Sequence, residues 1–319
     1  MFKFFEKQKN NCLLYISLFN YEYYYETICS LLILKEINFG KKIRILIYSD
    51  NANFFYNEIE KNNLSSHLKI DIIYKPTKYF RELLNQKKDI FKLKIIIILD
   101  VIESYNCNLL FIDNDTIILK KLSKIYKKIS KGYCYLHTEE YKIKDNELSE
   151  YHNFFKREIV VVPLKEKNLI IDQDSIMWNS GVVGICNSKI QLLKNVLLTY
   201  EILSEKISLK RNEQLSFSVC FKDEKLLPAD DFVFHYWFIK IARYMIMKFI
   251  FNREIILNQN EEKFKGTMFH KQLTDKNNLN LKNLISNIFF IVNNYYSDST
   301  KFNIKINFRK NSYVYKLLK

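Results

Sequence analysis

The feature that most constrains this chain is an alternation running from residue 13 to residue 129: short apolar runs that end in polar turns, each followed by a segment with helical spacing. Apolar runs at 13–18, 43–48, 70–74 and 109–112 read as strands. Between and after them, residues 22–37, 54–62, 79–99 and 119–129 carry apolar side chains at helical intervals. Strands separated by helices pair in parallel, with the helices covering both faces of the sheet. Five Gly and three Pro are too few for a β-sandwich with many tight turns. The second half is less regular, with strands expected at 132–137, 158–163 and 182–186, a long helix at 189–205 and a basic helix at 232–251. The sequence shows no internal repeat and no clear linker. The expected division is therefore one α/β domain over residues 1–250, followed by a helical C-terminal extension over 251–319.

In open sheets of this kind, ligands sit at the carboxyl ends of the strands. Two polar groups fall there: Ser49-Asp50-Asn51 after the second strand and Asp113-Asn114-Asp115 after the fourth. The latter closes the apolar run Leu109-Leu110-Phe111-Ile112 with two carboxylates separated by one residue. Such a pair suits a hard divalent cation, Mg²⁺ or Mn²⁺, with positions left over for a diphosphate. The plainer alternative is a solvated turn, because Asp and Asn are natural turn residues.

Fifty Lys and Arg against thirty-five Asp and Glu give 50 − 35 = +15. A surplus of that size suits nucleic acid or an anionic membrane surface. The basic residues are spread along the chain, and no RNP-like motif, helix-turn-helix or zinc finger accompanies them, so nucleic acid is the lesser reading. The six cysteines show no C-x-x-C spacing and no Cys/His cluster, and read as small buried residues of a reducing compartment. No 18-residue stretch is free of charge, which argues against a membrane span. Residues 232–251 hold His235, Lys240, Arg243 and Lys248; such a helix lies on an anionic surface or packs an apolar face on the core. The charged start of the chain lacks a leader pattern, and the expected location is cytoplasmic, with peripheral contact at the inner membrane face.

The Asp113-Asn114-Asp115-Thr116 segment resembles the DxD motif of GT-A glycosyltransferases, in particular the group that includes glycogenin and the bacterial lipopolysaccharide hexosyltransferases. Further segments are similar in the same order: Ile47-Tyr48-Ser49-Asp50, Lys92-Leu93-Lys94, Asn179-Ser180-Gly181, Asn212-Glu213-Gln214 and Phe234-His235-Tyr236-Trp237. Together they span roughly residues 11–240. The group's usual His-x-x-Gly-x-x-Lys-Pro-Trp is absent around His235.

The resemblance implies a Rossmann-like GT-A fold and transfer of a hexose from a nucleotide-diphosphate sugar, with a UDP-hexose the expected donor. The acceptor would be a glycan, lipid-linked or polysaccharide, as in bacterial polysaccharide biosynthesis. It implies that Asp113, Asp115 and His235 hold Mn²⁺ or Mg²⁺, with His270 the rival to His235. Lys92, Lys94 or Lys240 would add positive charge at the phosphates, and Asp50 would meet the base or ribose. Asn179, Ser180, Gly181 and Gln214 would line the sugar, with Glu213 near the anomeric carbon. Each has a plainer reading beside it: His235 as a hydrogen-bonded core histidine, Glu213 as a helix brace, Lys240 as a solvated lysine. Asp172 and Asp174 read as a loop turn, and His67, His137 and His152 are given no chemical role.

Overall fold

The structure, a computed structural model, describes residues 10–84, 89–209 and 211–237. The first half runs β1 (Asn11–Ser17), α1 (Tyr21–Glu36), β2 (Arg44–Ser49), α2 (Ala52–Lys61), β3 (Lys69–Tyr74), α3 (Thr77–Leu83), α4 (Ile90–Tyr105) and β4 (Asn108–Ile112). Asparagine and aspartate set the helix starts. The side chains of Asn20, Asn51 and Asp89 accept from the backbone N–H groups of Glu22, Phe54 and Lys92, meeting donors that a first turn leaves unpaired.

The second half runs β5 (Thr116–Ile118), α5 (Ser123–Ile129), β6 (Cys134–Leu136), β7 (Glu139–Lys142), α6 (Glu150–Phe155), β8 (Val160–Pro163), β9 (Asn168–Ile171) and β10 (Ile176–Trp178). It continues through β11 (Val182–Ile185), α7 (Ile190–Lys206), α8 (Asn212–Phe221), β12 (Leu226–Pro228) and β13 (Val233–His235).

Seven strands form the central sheet in the order β12-β6-β11-β4-β1-β2-β3. Every neighbouring pair is parallel except those made by β11, which runs antiparallel to both β4 and β6. The expected α/β architecture, a mostly parallel sheet flanked by helices, is the one observed.

The inner strands are apolar at successive positions because both faces are covered. Leu13 and Tyr15, Ile45 and Ile47, and Leu110 and Ile112 enter the layer under α1, α2 and α5. Cys12 and Leu14, Leu46 and Tyr48, and Leu109 and Phe111 enter the layer under α3, α4, α7 and α8. All six cysteines are buried and unpaired. Among the described residues, no helix is long and apolar enough to cross a membrane.

Three expectations are corrected. The helix expected over 79–99 is two, α3 and α4, the second running on to Tyr105. The helix expected over 119–129 starts only at Ser123; residues 119–122 form the connection from β5, with Leu122 at the helix's N-cap. The basic helix expected over 232–251 does not begin as a helix. Val233–His235 is a strand that pairs antiparallel with β5, His235 opposite Thr116. Residues 238–251, which include Lys240, together with His270 and the extension over 251–319, lie outside the described residues.

Candidate metal centre

The Asp113–Asp115 turn is built by its neighbours. Asp113 N–H donates to Gly181 O at 2.8 Å, prolonging the β4–β11 ladder, and Thr116 Oγ1 donates back to Asp113 O at 2.7 Å. The middle residue, Asn114, turns towards β1, where its Nδ2 donates to Ile16 O at 2.9 Å. With Asn114 buried, the carboxylates on either side of it face a common point.

His235 reaches the same point from 120 residues away in sequence, carried by β13. Its Nε2 lies 3.0 Å from Asp115 Oδ1 and 3.7 Å from Asp113 Oδ2. Its Nδ1 lies 3.0 Å from Asn179 Oδ1. The same Asn179 oxygen accepts from Gly181 N–H at 2.9 Å. A backbone N–H only donates, so that atom is an acceptor and Nδ1 must be the donor to it. The other ring nitrogen, Nε2, then faces two carboxylates. A neutral ring would set a lone pair against Asp115 at hydrogen-bond distance. The arrangement therefore calls for a positive charge at Nε2, either a proton or a metal ion. Burial pulls the His235 pKa down, but the charge and hydrogen bond of Asp115, with Asp113 behind it, outweigh that and leave it raised.

The donor set fits a divalent cation. One oxygen from each carboxylate and one imidazole nitrogen all lie within 4.8 Å of one another. Two carboxylates and a neutral nitrogen suit Mn²⁺ or Mg²⁺, with coordination positions left for phosphate oxygens. Gly181 makes the geometry possible. A Cβ there would sit 2.2 Å from His235 Cε1 and Nδ1, so no other residue leaves the ring in place.

Beside the carboxylates stands a buried ion network. Lys94 Nζ, carried by α4, lies 2.8 Å from Glu213 Oε1, 3.5 Å from Asp113 Oδ1 and 3.2 Å from Ser180 Oγ. Ser180 donates to the same Glu213 oxygen at 2.6 Å. Burial lowers the Lys94 pKa, but the facing Asp113 and Glu213 carboxylates more than offset it, and the ammonium stays charged. It also sits 5.0 Å above the Phe111 ring.

These groups open on a cavity of about 420 Å³ at the carboxyl ends of β1 and β4. Asp113, Asp115, His235, Lys94, Asn179, Ser180, Gly181, Glu213 and Gln214 all line it. Asp50 and Lys92 do not. Asp50 accepts from Phe19 N–H, Tyr24 Oη at 2.6 Å and Thr77 Oγ1 at 3.0 Å, so its oxygens are engaged in shaping the β1–α1 turn. Lys92 pairs with Glu201 at 2.7 Å.

Trp237, which ends the Phe234–Trp237 segment, lines the cavity as well, together with residues that sequence reasoning passed over: Tyr23 and Glu26 of α1, Ile90 and Phe91 of α4, Glu140 of β7 and Arg211. Arg211 lies 5.5 Å above the Trp237 ring. No motif signals the positions on α1, α4 and β7 or Arg211. Glu140 is one acid of an exposed-looking Glu139-Glu140 pair, and only folding brings it to the site.

No family model matches the sequence. No curated protein matches it either. Among solved structures, the chain is similar to mouse xyloside xylosyltransferase 1 in its apo form, at 13% identity and a TM-score of 0.43, over 69% of this chain and 84% of that one. It is similar to the galactosyltransferase LgtC in complex with donor and acceptor sugar analogues, at 9% identity and a TM-score of 0.42, over 65% of this chain and 70% of that one. It is also similar to the bifunctional glycosyltransferase WbbM, at 12% identity and a TM-score of 0.45, over 88% of this chain and 50% of that one.

Proposed function

We propose that this chain is a metal-dependent glycosyltransferase that moves a hexose from a nucleotide-diphosphate sugar to a glycan or lipid-linked acceptor. One observation carries the reading: the Asp113–Asp115–His235 donor set lies at the carboxyl end of a parallel strand, beside the buried Lys94–Glu213 pair and on a cavity of about 420 Å³. A bound Mn²⁺ or Mg²⁺ would supply Lewis-acid charge opposite the donor's phosphates. The protein's residues do the rest. Lys94 keeps positive charge on the same side, next to Asp113, where a departing nucleotide gathers negative charge. Glu213 is held by Lys94 and Ser180 and offers a fixed carboxylate to the sugar. Gln214 and Asn179 present amide groups on the same wall, and Gly181 lets backbone approach closely. We assign Asp50 a place near the base through the β1–α1 turn that it organises. The expected donor is a UDP-hexose, and the +15 surplus would favour encounter with an anionic, lipid-bearing surface.

The test is thermal unfolding with Mn²⁺ and each of UDP, GDP, CMP and ADP, with and without EDTA. A ligand at a hundred times its dissociation constant stabilises by about 2.7 kcal/mol. At this chain length that raises the midpoint by several degrees. A Mn²⁺-dependent shift with one nucleotide, lost in Asp115→Asn, is the expected result. A shift with none of them sinks the donor-site reading.

A further inference from the structure

We propose that Glu140 is the positioning residue of the metal centre. Its carboxylate fixes the amide of Asn179, and through that amide the tautomer of His235, while its second oxygen holds Gln214. The proposal rests on reading Asp113, Asp115 and His235 as a metal site.

Glu140 stands on β7, whose pairing with β10 carries an irregularity between Met177 and Trp178. Such a bulge re-aims the residues that follow it. Here it delivers Asn179 back onto the β6–β7 junction, where its N–H donates to Thr138 O at 2.8 Å and its O accepts from His137 N–H at 2.9 Å. The backbone of Asn179 is pinned, but the side-chain amide can still turn over by exchanging its oxygen and nitrogen.

Glu140 removes that freedom. Asn179 Nδ2 donates to Glu140 Oε1 at 2.9 Å, and a carboxylate only accepts. The Asn179 oxygen is thereby turned towards Gly181 N–H and His235 Nδ1. A chain of four groups follows: Glu140, the Asn179 amide, the His235 ring and the Asp115 carboxylate. Each contact in it is 3.0 Å or less. A metal-binding histidine needs its second nitrogen held by an acceptor, which sets the ring's orientation and raises its basicity. Asn179 is that acceptor, and Glu140 is what makes it one.

The other oxygen, Glu140 Oε2, accepts from Gln214 Nε2 at 2.8 Å. Arg211 stands 3.8 Å from the same oxygen. One carboxylate thus holds two amides, from the β10–β11 junction and from α8. A glutamine at this position has one acceptor and one NH₂. It can satisfy only one of the two donors and turns a donor against the other, so Glu140→Gln frees one amide with little change of shape.

The test uses the full chain and two readouts. Calorimetric titration with Mn²⁺ alone compares wild type, Glu140→Gln and Asp115→Asn. The expected result is no binding in Asp115→Asn and affinity about tenfold or more weaker in Glu140→Gln. Proton and nitrogen-15 spectra of the His235 ring in metal-free protein, at a pH low enough that the ring carries both protons, report the Nδ1–H hydrogen bond directly. That proton is expected to be shifted downfield and slow to exchange in wild type and to exchange faster in Glu140→Gln. If wild type fails to bind Mn²⁺, the metal reading falls while the ring spectra still judge the relay. If Glu140→Gln binds Mn²⁺ as wild type does, or leaves the Nδ1–H signal and its exchange unchanged, the role of Glu140 is overturned.

Discussion

His137 adjoins the candidate metal centre without joining it. Its ring meets that of His235 edge-on, centroids 5.4 Å apart, and its Nε2–H donates to Val233 O at 3.1 Å. Its Nδ1 is buried with no hydrogen-bond partner among the described residues. Burial, then the charge on His235, push its pKa from 6.5 down to about 3. Below pH 6.5 the unfolded chain takes up a proton at His137 that the folded chain refuses, so stability falls as the pH drops through that range. Between pH 7 and pH 5 this amounts to about 2 kcal/mol. His235 works the other way: its raised pKa gives stability that is full below the unfolded value and is lost as pH rises. It is present in both proteins of the comparison and cancels. Urea unfolding of wild type and His137→Asn at the two pH values should show the variant losing about 2 kcal/mol less on acidification. Parallel losses would show that His137 is protonated in the folded state.

At the scale of elements, two glycines near β11 make opposite predictions from the same chemical change. Gly181 stands at the head of the strand, where an added Cβ would meet the His235 ring at 2.2 Å. Gly184 lies inside it, where a Cβ would meet Tyr135 Cβ of β6 at 2.9 Å. Gly181→Ala should displace the imidazole and weaken Mn²⁺ binding about tenfold or more, as loss of a well-placed ligand does. Gly184→Ala should cost about 1–3 kcal/mol by overpacking between strands, with Mn²⁺ affinity intact. Calorimetric titration and chemical unfolding on both variants read the contrast. Equal effects on metal would mean that β11 moves as one piece. The same elements show what the sequence made legible. β1, β2 and β4 announced themselves because burial on both faces makes their central positions a continuous apolar run, and the turn after β4 stood out by its acids. Helix α8 did not, because every one of its residues is buried and no polar face marks a period; Ser216 and Ser218 satisfy their hydroxyls on the helix's own carbonyls. β13 was hidden inside an aromatic run that also fits a helix, and its partner β5, not its own pattern, decides its form. Glu140 was invisible because its partners are 39 and 74 residues away.

At the scale of the whole molecule, the site closes a long loop. Asp113 and Asp115 end the central strand β4, whereas His235 hangs on the three-residue β13, which is tied to the rest mainly through β5. The β5–β13 ribbon is two buried three-residue strands outside the seven-stranded sheet, whereas β1 and β2 lie inside that sheet, each paired on both sides. Local opening follows that difference. A metal joining the two carboxylates to His235 would hold the ribbon to the end of β4 and leave β2 and β3 much as they were. Hydrogen exchange in the presence and absence of Mn²⁺ should then slow at the amides of Thr116–Ile118 and Val233–His235 and stay constant in Arg44–Ser49 and Lys69–Tyr74. Asp115→Asn should abolish the difference. Protection spread evenly over the sheet would instead place the cation's effect on global stability, and no protection at the ribbon would break the link between His235 and the carboxylates on which the site reading depends.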